Sequence, residues 1–367
     1  MLNDRGWGAA FCLAVVACVP TGQYVYEGSE QRLEPDVTCR YGAADCNPAI
    51  DDVIGQVTTL STRGEPLGFH LGVLAAPTRD RHWQSIQRLP GSSHYMVVTR
   101  STDRPEDADV GVVHLASADG AGRMRSNRLG ALGDAPPSED AGIIAIASQT
   151  DHTHAGGTQL AGQVLAVPLE AGLPGSQVEL FDLGNPERPR SIGIVDHVVP
   201  EGASSQAGSV ALAKLADGSF LMVIGRRDAR TLDFYRSTSR ELRTTTWKFA
   251  DSWSADELQT TIADENYGDY QNLQLLAGTD RRLYLVGTHE DGVINRTQWI
   301  DLFALEGIDE MSLVKVGKRR VSCARVRVQC NLDAGAGIYI DPTGALIVYG
   351  IEHAADGPAG SVKMMEF

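Results

Sequence analysis

Basic charge is scarce in this chain: 32 Lys and Arg face 47 Asp and Glu, which leaves a formal net charge of −15. A protein this acidic lacks the basic footprint that a phosphate backbone or an anionic membrane surface requires, so no nucleic-acid partner is expected. Long apolar runs are missing as well; the one near the N-terminus, Gly6 to Ala17, is too short to span a bilayer as a permanent helix. Motifs that fix chemistry are also absent. No Ser lies in G-x-S-x-G, no H-E-x-x-H is present, and no Gly-rich loop follows a strand and opens a helix, so nucleophilic serine and nucleotide chemistry lack support.

What the chain does have is glycine, 39 residues of it, set between short apolar runs. At 367 residues it could hold two average domains, but large all-β folds reach this size as one. The clearest unit lies between His152 and Asp196. An inner strand (Gly157 to Leu160) turns at Ala161-Gly162 into an apolar strand (Val164 to Leu169). An alternating strand follows (Gln177 to Leu183), then a turn at Gly184-Asn185-Pro186 and an outer strand (Arg190 to Asp196). Similar units start near Trp83 (SIQRL, YMVVT, VGVVHLA and an outer strand near Arg123 to Leu129), Ala207 (SVALAKL, FLMVIG, LDFYRST, TTWKF) and Tyr270 (QNLQLL, LYLVGTH, WIDLFAL, SLVKVGK). A last one starts at Ala334 (GIYI, ALIVYG, VKMMEF) and is one strand short. Ser254 to Ile262, with Ser at the N-cap and acidic residues in its first turn, reads as one short helix.

Val57 to Leu60 and Gly68 to Val73 read as early strands without a partner nearby. One of them can complete the last unit and close a ring, so that no sheet edge stays open. The expected fold is therefore all-β, a β-propeller of about five four-stranded blades closed by an N-terminal strand. Six or seven blades result if 53–80 and 130–150 form further ones.

The N-terminal segment carries Arg5, the short apolar run and Val15-Val16-Ala17-Cys18. These four positions resemble the bacterial lipobox, in which cleavage exposes the cysteine for lipidation; an ordinary secretory signal is the alternative. The resemblance implies a signal peptide over 1–17, lipidation of Cys18, a tether over 18–53 and a propeller over 54–367. Membrane contact would then run through the lipid alone. Val19 in place of Asp after the cysteine implies the outer membrane, with the body facing periplasm or exterior. Without Cys12 and Cys18, the remaining cysteines form two equally spaced pairs, Cys39/Cys46 and Cys323/Cys330. In an oxidising compartment local disulfides are the default; metal ligation competes poorly, because the spacing is not a zinc knuckle and no His lies beside either pair.

VELFDLGNPERPRSIGIVD, within Val178 to Asp196, resembles the LVIVD repeat of bacterial and archaeal surface propellers: an apolar strand ending in Asp, a short Asn-Pro turn, a proline and a second strand. HAGGTQLAGQVLAVPLE, YQNLQLL and DAGAGIYIDPTG resemble segments of secreted bacterial and fungal propeller-like proteins. This second resemblance covers Trp83 to Phe367. It implies a fold and brings no catalytic residue with it.

In a propeller, the residues before each first strand and after each second strand gather at one rim. That rule collects His152, His154, Gln206, Tyr270, Gln271 and Asn272, with Arg100, Glu170, Arg226, Arg227, Asp228, His289, Glu290, Asp291, Glu352 and His353. A ligand pocket is expected there. His152 and His154 project to one side of an extended strand, and His154, His289 and His353 could hold a divalent transition metal. Against this, His154 could simply bond backbone in a loop. Glu170, Glu290 and Glu352 could act as paired carboxylates in glycoside hydrolysis, or bind calcium together with Asp228 and Asp291. Salt bridges to Arg100, Arg226 and Arg227 are the plainer reading. The expectation is a monomeric scaffold at the cell envelope, without a cofactor, that binds a small molecule, glycan or protein. A metal- or carboxylate-dependent hydrolase is the rival.

Overall fold

A computed structural model describes residues 33–70, 81–91, 95–102, 108–114, 143–149, 152, 154–170, 175–197, 206–261, 267, 269–291, 297–308, 312–323, 330–353 and 361–367. The signal segment and Cys18 lie outside them.

The described chain opens with a segment laid on the sheets and then α1 (Val53–Thr59), whose start is capped by the Asp52 side chain accepting from Gly55 N (2.9 Å). Val57 to Thr59 are thus helical, with Leu60 as the C-cap, rather than a strand. Val53 and Val57, four residues apart, bury one face of the turn and leave the polar residues outside. Then comes β1 (Glu65–His70). The first sheet contains β2 (Arg81–Arg88), β3 (Tyr95–Thr102), β4 (Ala108–His114) and β5 (Ile143–Gln149). The second contains β6 (His154–Ala155), β7 (Gln159–Ala161), β8 (Val164–Glu170), β9 (Ser176–Asp182) and β10 (Arg190–Asp196). The third contains β11 (Ser209–Lys214), β12 (Phe220–Arg226), β13 (Thr231–Ser237) and β14 (Trp247–Ser254), followed by α2 (Ala255–Thr261). The helix expected after Ser254 is therefore present, and Ser254 N donates to Glu257 Oε2 (2.8 Å) as half of a capping box. The fourth sheet contains β15 (Asn272–Ala277), β16 (Leu283–Asp291), β17 (Thr297–Gly307) and β18 (Ser312–Val321). Finally β19 (Ala336–Ile340), β20 (Leu346–Ile351) and β21 (Ser361–Glu366) return to the first sheet, where β1 pairs antiparallel with β21. That sheet is eight-stranded in the order β1-β21-β20-β19-β2-β3-β4-β5. Its two antiparallel halves meet at one parallel pair, Ala336 with Ser85.

The four sheets form a propeller. Their first strands β2, β7, β11, β15 and β19 stand side by side around one axis. Polar side chains pin them there. Gln159 donates to Leu275 O and accepts from Leu212 N and Leu275 N (2.8 Å each), while Gln87 and Gln274 both donate to Thr158 O (2.7 Å each). Each amide fills backbone valences that would otherwise be buried unpaired. Apolar faces pack between neighbouring sheets, as where Phe234 and Trp253 of the third meet Leu275 and Phe303 of the fourth.

Two expectations need correction. The fourth strand beside β4 is β5, built from the apolar GIIAIA stretch, so 143–149 supplies no extra blade; Arg123 to Leu129 lie outside the described residues. From Leu33 on, the expected tether is packed against protein: Leu33, Cys46, Ile50 and Val53 are buried and hydrogen-bonded segments run along all four sheets. Both cysteine pairs are disulfides, Cys39–Cys46 and Cys323–Cys330.

Candidate functional site

At the rim where the first strands begin, here the upper rim, β6 and β8 place His154 directly opposite Glu170 in register, with Nδ1 and Oε2 3.7 Å apart. The His82 ring, from β2, lies 6.2 Å from that of His154 and 4.9 Å from that of His353, which follows β20. Trp83 N donates to His353 O (3.0 Å), fixing the two segments together. The structure therefore gathers His154, Glu170 and His353, with His82 between the two histidines.

The acidic side of the rim is set by Asp228, Asp333 and Asp269. Asp228 sits at positive φ (59°) in the turn after β12, its carbonyl accepts from Tyr270 N (2.7 Å), and its carboxylate accepts from the Gln271 side chain. Asp333 lies in the turn that leads into β19, where its N–H donates to Asn331 Oδ1 (3.0 Å).

Burial and mutual repulsion perturb these groups. Burial pushes the Glu170 carboxyl up to about 7, helped by the charge of Asp228 and opposed by a hydrogen bond from the Ala207 backbone. Burial, with the charges of Asp228 and Glu290, pushes Asp333 up to about 7. Asp228 is raised too, by burial and then by Asp269. His154 goes the other way, down to about 4, because burial and then the neighbouring His82 disfavour its cation. Near neutrality Glu170 stands close to half-protonation beside the neutral His154 imidazole, and Asp333 does so among other carboxylates. Such a set can both donate protons and accept them.

Several rim residues expected from sequence face inward instead. Arg226 pairs with the buried Asp233 (Nε to Oδ2, 2.6 Å), which also accepts from Ser252 Oγ (2.6 Å) and bonds His197 Nε2 (2.7 Å). The other His197 nitrogen meets Ser176 Oγ at 2.7 Å. Burial raises Asp233, but the hydrogen bonds of His197 and Ser252 and the charge of Arg226 more than offset this and hold it low. Ser176, His197 and Asp233 have the connectivity of a nucleophilic triad, yet the arrangement recurs in the next sheet without a serine. There Asp301 accepts from Tyr270 Oη (2.8 Å) and Lys315 Nζ (3.0 Å) and lies 3.2 Å from His289 Nε2. Recurrence on the third strand of adjacent sheets marks a structural pin.

The remaining expected residues are divided. Glu290 accepts from Gln298 Nε2 (2.5 Å), and Glu352 accepts from Lys363 N (3.0 Å) and faces its Nζ (3.6 Å). Asn272, oriented so that its amide nitrogen donates to Gln84 O and Ala336 O (3.1 Å each), belongs to the axis. Arg100 is buried with its guanidinium 6.0 Å from the Trp83 ring, and His152 is half-buried at the rim. Among the described residues no group of three or more His, Cys, Asp or Glu has metal-holding geometry; His289, expected beside His154 and His353, is drawn to Asp301. His82 and Asp333 were not singled out from sequence, although the same positional rule covers them. The same rule collects Asp228 as a rim residue, with calcium coordination as one role for it.

No family model and no curated protein matches the chain, so the LVIVD resemblance rests on Val178 to Asp196 alone. Distantly similar solved structures include a GH93 α-L-arabinofuranosidase of Fusarium graminearum with arabinobiose, at 9% identity and TM-score 0.39, covering 82% of this chain and 97% of that one. A GH43 β-1,3-galactosidase with galactodeoxynojirimycin has 11% identity and TM-score 0.32, covering 62% and 91%. An α-L-arabinanase of Penicillium chrysogenum with arabinobiose has 10% identity and TM-score 0.32, covering 87% and 79%. Likeness at this level says nothing about which chemistry this chain performs.

Proposed function

We propose that the upper rim binds a small, neutral, hydroxyl-rich ligand, with Glu170, Asp228 and Asp333 as its hydrogen-bonding groups. One observation carries this reading: carboxyl groups from three segments are close enough for Asp228 to raise both Glu170 and Asp333, and those two are pushed up to about 7 in partly buried surroundings. Half-protonated carboxyls donate to and accept from hydroxyl groups without presenting full charge. A cationic ligand fits less well, since it would need them all ionised. The second reading, hydrolysis of a glycoside, is favoured by the same two carboxyls, because a general acid must hold its proton near neutral pH.

The eight-stranded sheet is best counted as two blades that touch through a single parallel pair, which gives five blades with β1 as the outer strand of the last. We also propose an envelope location. Two disulfides are compatible with an oxidising compartment.

The test is calorimetric titration with a panel of mono- and disaccharides, together with aryl-glycoside hydrolysis between pH 5 and 8. Binding that weakens at least tenfold in Asp228→Asn and Glu170→Gln supports the site. Hydrolysis lost in the same variants selects the second reading. A panel that binds nowhere, or binding indifferent to both substitutions, overturns the proposal.

A further inference from the structure

The face opposite the upper rim, where first strands turn into second strands, holds a cavity of about 20 Å³, room for one or two water-sized occupants. Its lining includes Arg88 at the end of β2, Tyr339 of β19, Gln274 of β15, and Asn47 and Pro48 from the N-terminal segment. Arg88 is unusual. Only 4% exposed, it forms no ion pair among the described residues. Its guanidinium lies 4.6 Å from the Tyr339 ring centroid, and Nη1 donates to Tyr349 Oη (3.3 Å).

A guanidinium offers five N–H donors, and one is spent here on a protein acceptor. Arg88 lines the cavity, and Tyr349 Oη is the one protein acceptor its guanidinium meets among the described residues. The Glu366 carboxylate acts on Arg88 through its charge without pairing with it, and Tyr349 bonds both. The hydroxyl of Tyr339, which lines the cavity, is already engaged: it lies 2.5 Å from that of Tyr41, which donates to Gly91 O (2.9 Å). A buried cation with unspent donors beside a small void calls for an acceptor that carries charge.

We propose that this cavity is a binding site for a small monovalent anion, a halide or a one-carbon carboxylate, held by the Arg88 guanidinium. A space of this size suits an ion of a few atoms better than a sugar or a nucleotide. Bound there, the anion ties β2 to β19 and to the N-terminal segment, so its effect is on stability. It does not involve the upper rim.

The probes are bromide, chloride and formate. Crystals soaked in bromide should show an anomalous peak within hydrogen-bonding distance of the Arg88 guanidinium, and formate should compete with that peak only if a carboxylate also fits. Chloride should raise the melting temperature by about 2 °C or more over gluconate at equal ionic strength. Arg88→Met should lose that difference. An empty cavity in the bromide-soaked wild type overturns the proposal, as does a chloride effect that persists in Arg88→Met. If Arg88→Met does not fold, the bromide experiment alone decides.

Discussion

Glu170 in its ionised form costs the folded state free energy that an amide would not. Its folded value of about 7 stands above the ordinary 4.5, so between those limits the folded protein keeps a proton that the unfolded chain has released. Stability contributed by this group is complete below pH 4.5 and is lost as pH rises to about 7. His154 works in the opposite sense: folded at about 4 against 6.5, it costs stability as pH falls through that window. Glu170→Gln isolates the first effect. At pH 5 the variant should match wild type in urea unfolding; at pH 8 it should be more stable by on the order of 2 kcal/mol. Equal stability at both pH values would mean that burial does not hold the proton. Positions of this kind were legible in the sequence, burial was not. The rule that found His154 also covers His82 and Asp333, but only packing reveals that Asp333 is surrounded by carboxylates while Arg226 and His289 turn inward to buried aspartates.

Among the elements, strand order was readable because turn chemistry marks it. Asp217-Gly218 and Asp341 to Gly344 fall where first strands reverse, and in the latter the Asp341 carboxylate accepts from Thr343 N and Ala345 N (2.8 and 2.9 Å). Helix α1 was misread because four apolar and β-branched residues fit either period when the run is short. The contacts between first strands left no clear pattern in the sequence, since they depend on what a glycine lets approach. A Cβ on Gly337 would lie 1.6 Å from Ile86 O, and one on Gly156 2.0 Å from Gly208 O. These are backbone atoms of β2 and of the residue just before β11, with no side chain to move aside. Gly337→Ala should therefore cost about 3 kcal/mol in denaturant unfolding, by forcing β19 away from β2. Gly193, on an outer strand with nothing near its Cβ position, is the control, and Gly193→Ala should change stability by less than about 0.5 kcal/mol. If the two alanine variants behave alike, close approach at the axis is not what holds these strands.

For the whole molecule, the segment from Leu33 to Thr62 matters more than its composition suggests. It reaches the third sheet through Asp36 N to Lys214 O, the second through Asn47 Nδ2 to Leu160 O, the fourth through Ile50 N to Ala277 O, and the first through Gln56 Nε2 to Gly344 O. These bonds are isolated bridges and side-chain contacts rather than a ladder, so no strand period announces them, and the sequence reads as spacer. Leu33, Ile50, Val53, Val57 and Leu60 are nevertheless buried beneath the sheets. At about 2 kcal/mol for each side chain, their burial contributes on the order of 10 kcal/mol, comparable with the net stability of an ordinary domain. A ring closed only by β1 against β21 would lack this support. Replacing residues 33–62 with a Gly/Ser linker of equal length keeps β1 available, so it separates the two devices. The expected outcome is loss of the cooperative melting transition, read by circular dichroism. A linker variant that melts within a few degrees of wild type would assign closure to β1 alone and reduce the N-terminal segment to the tether that its sequence resembles.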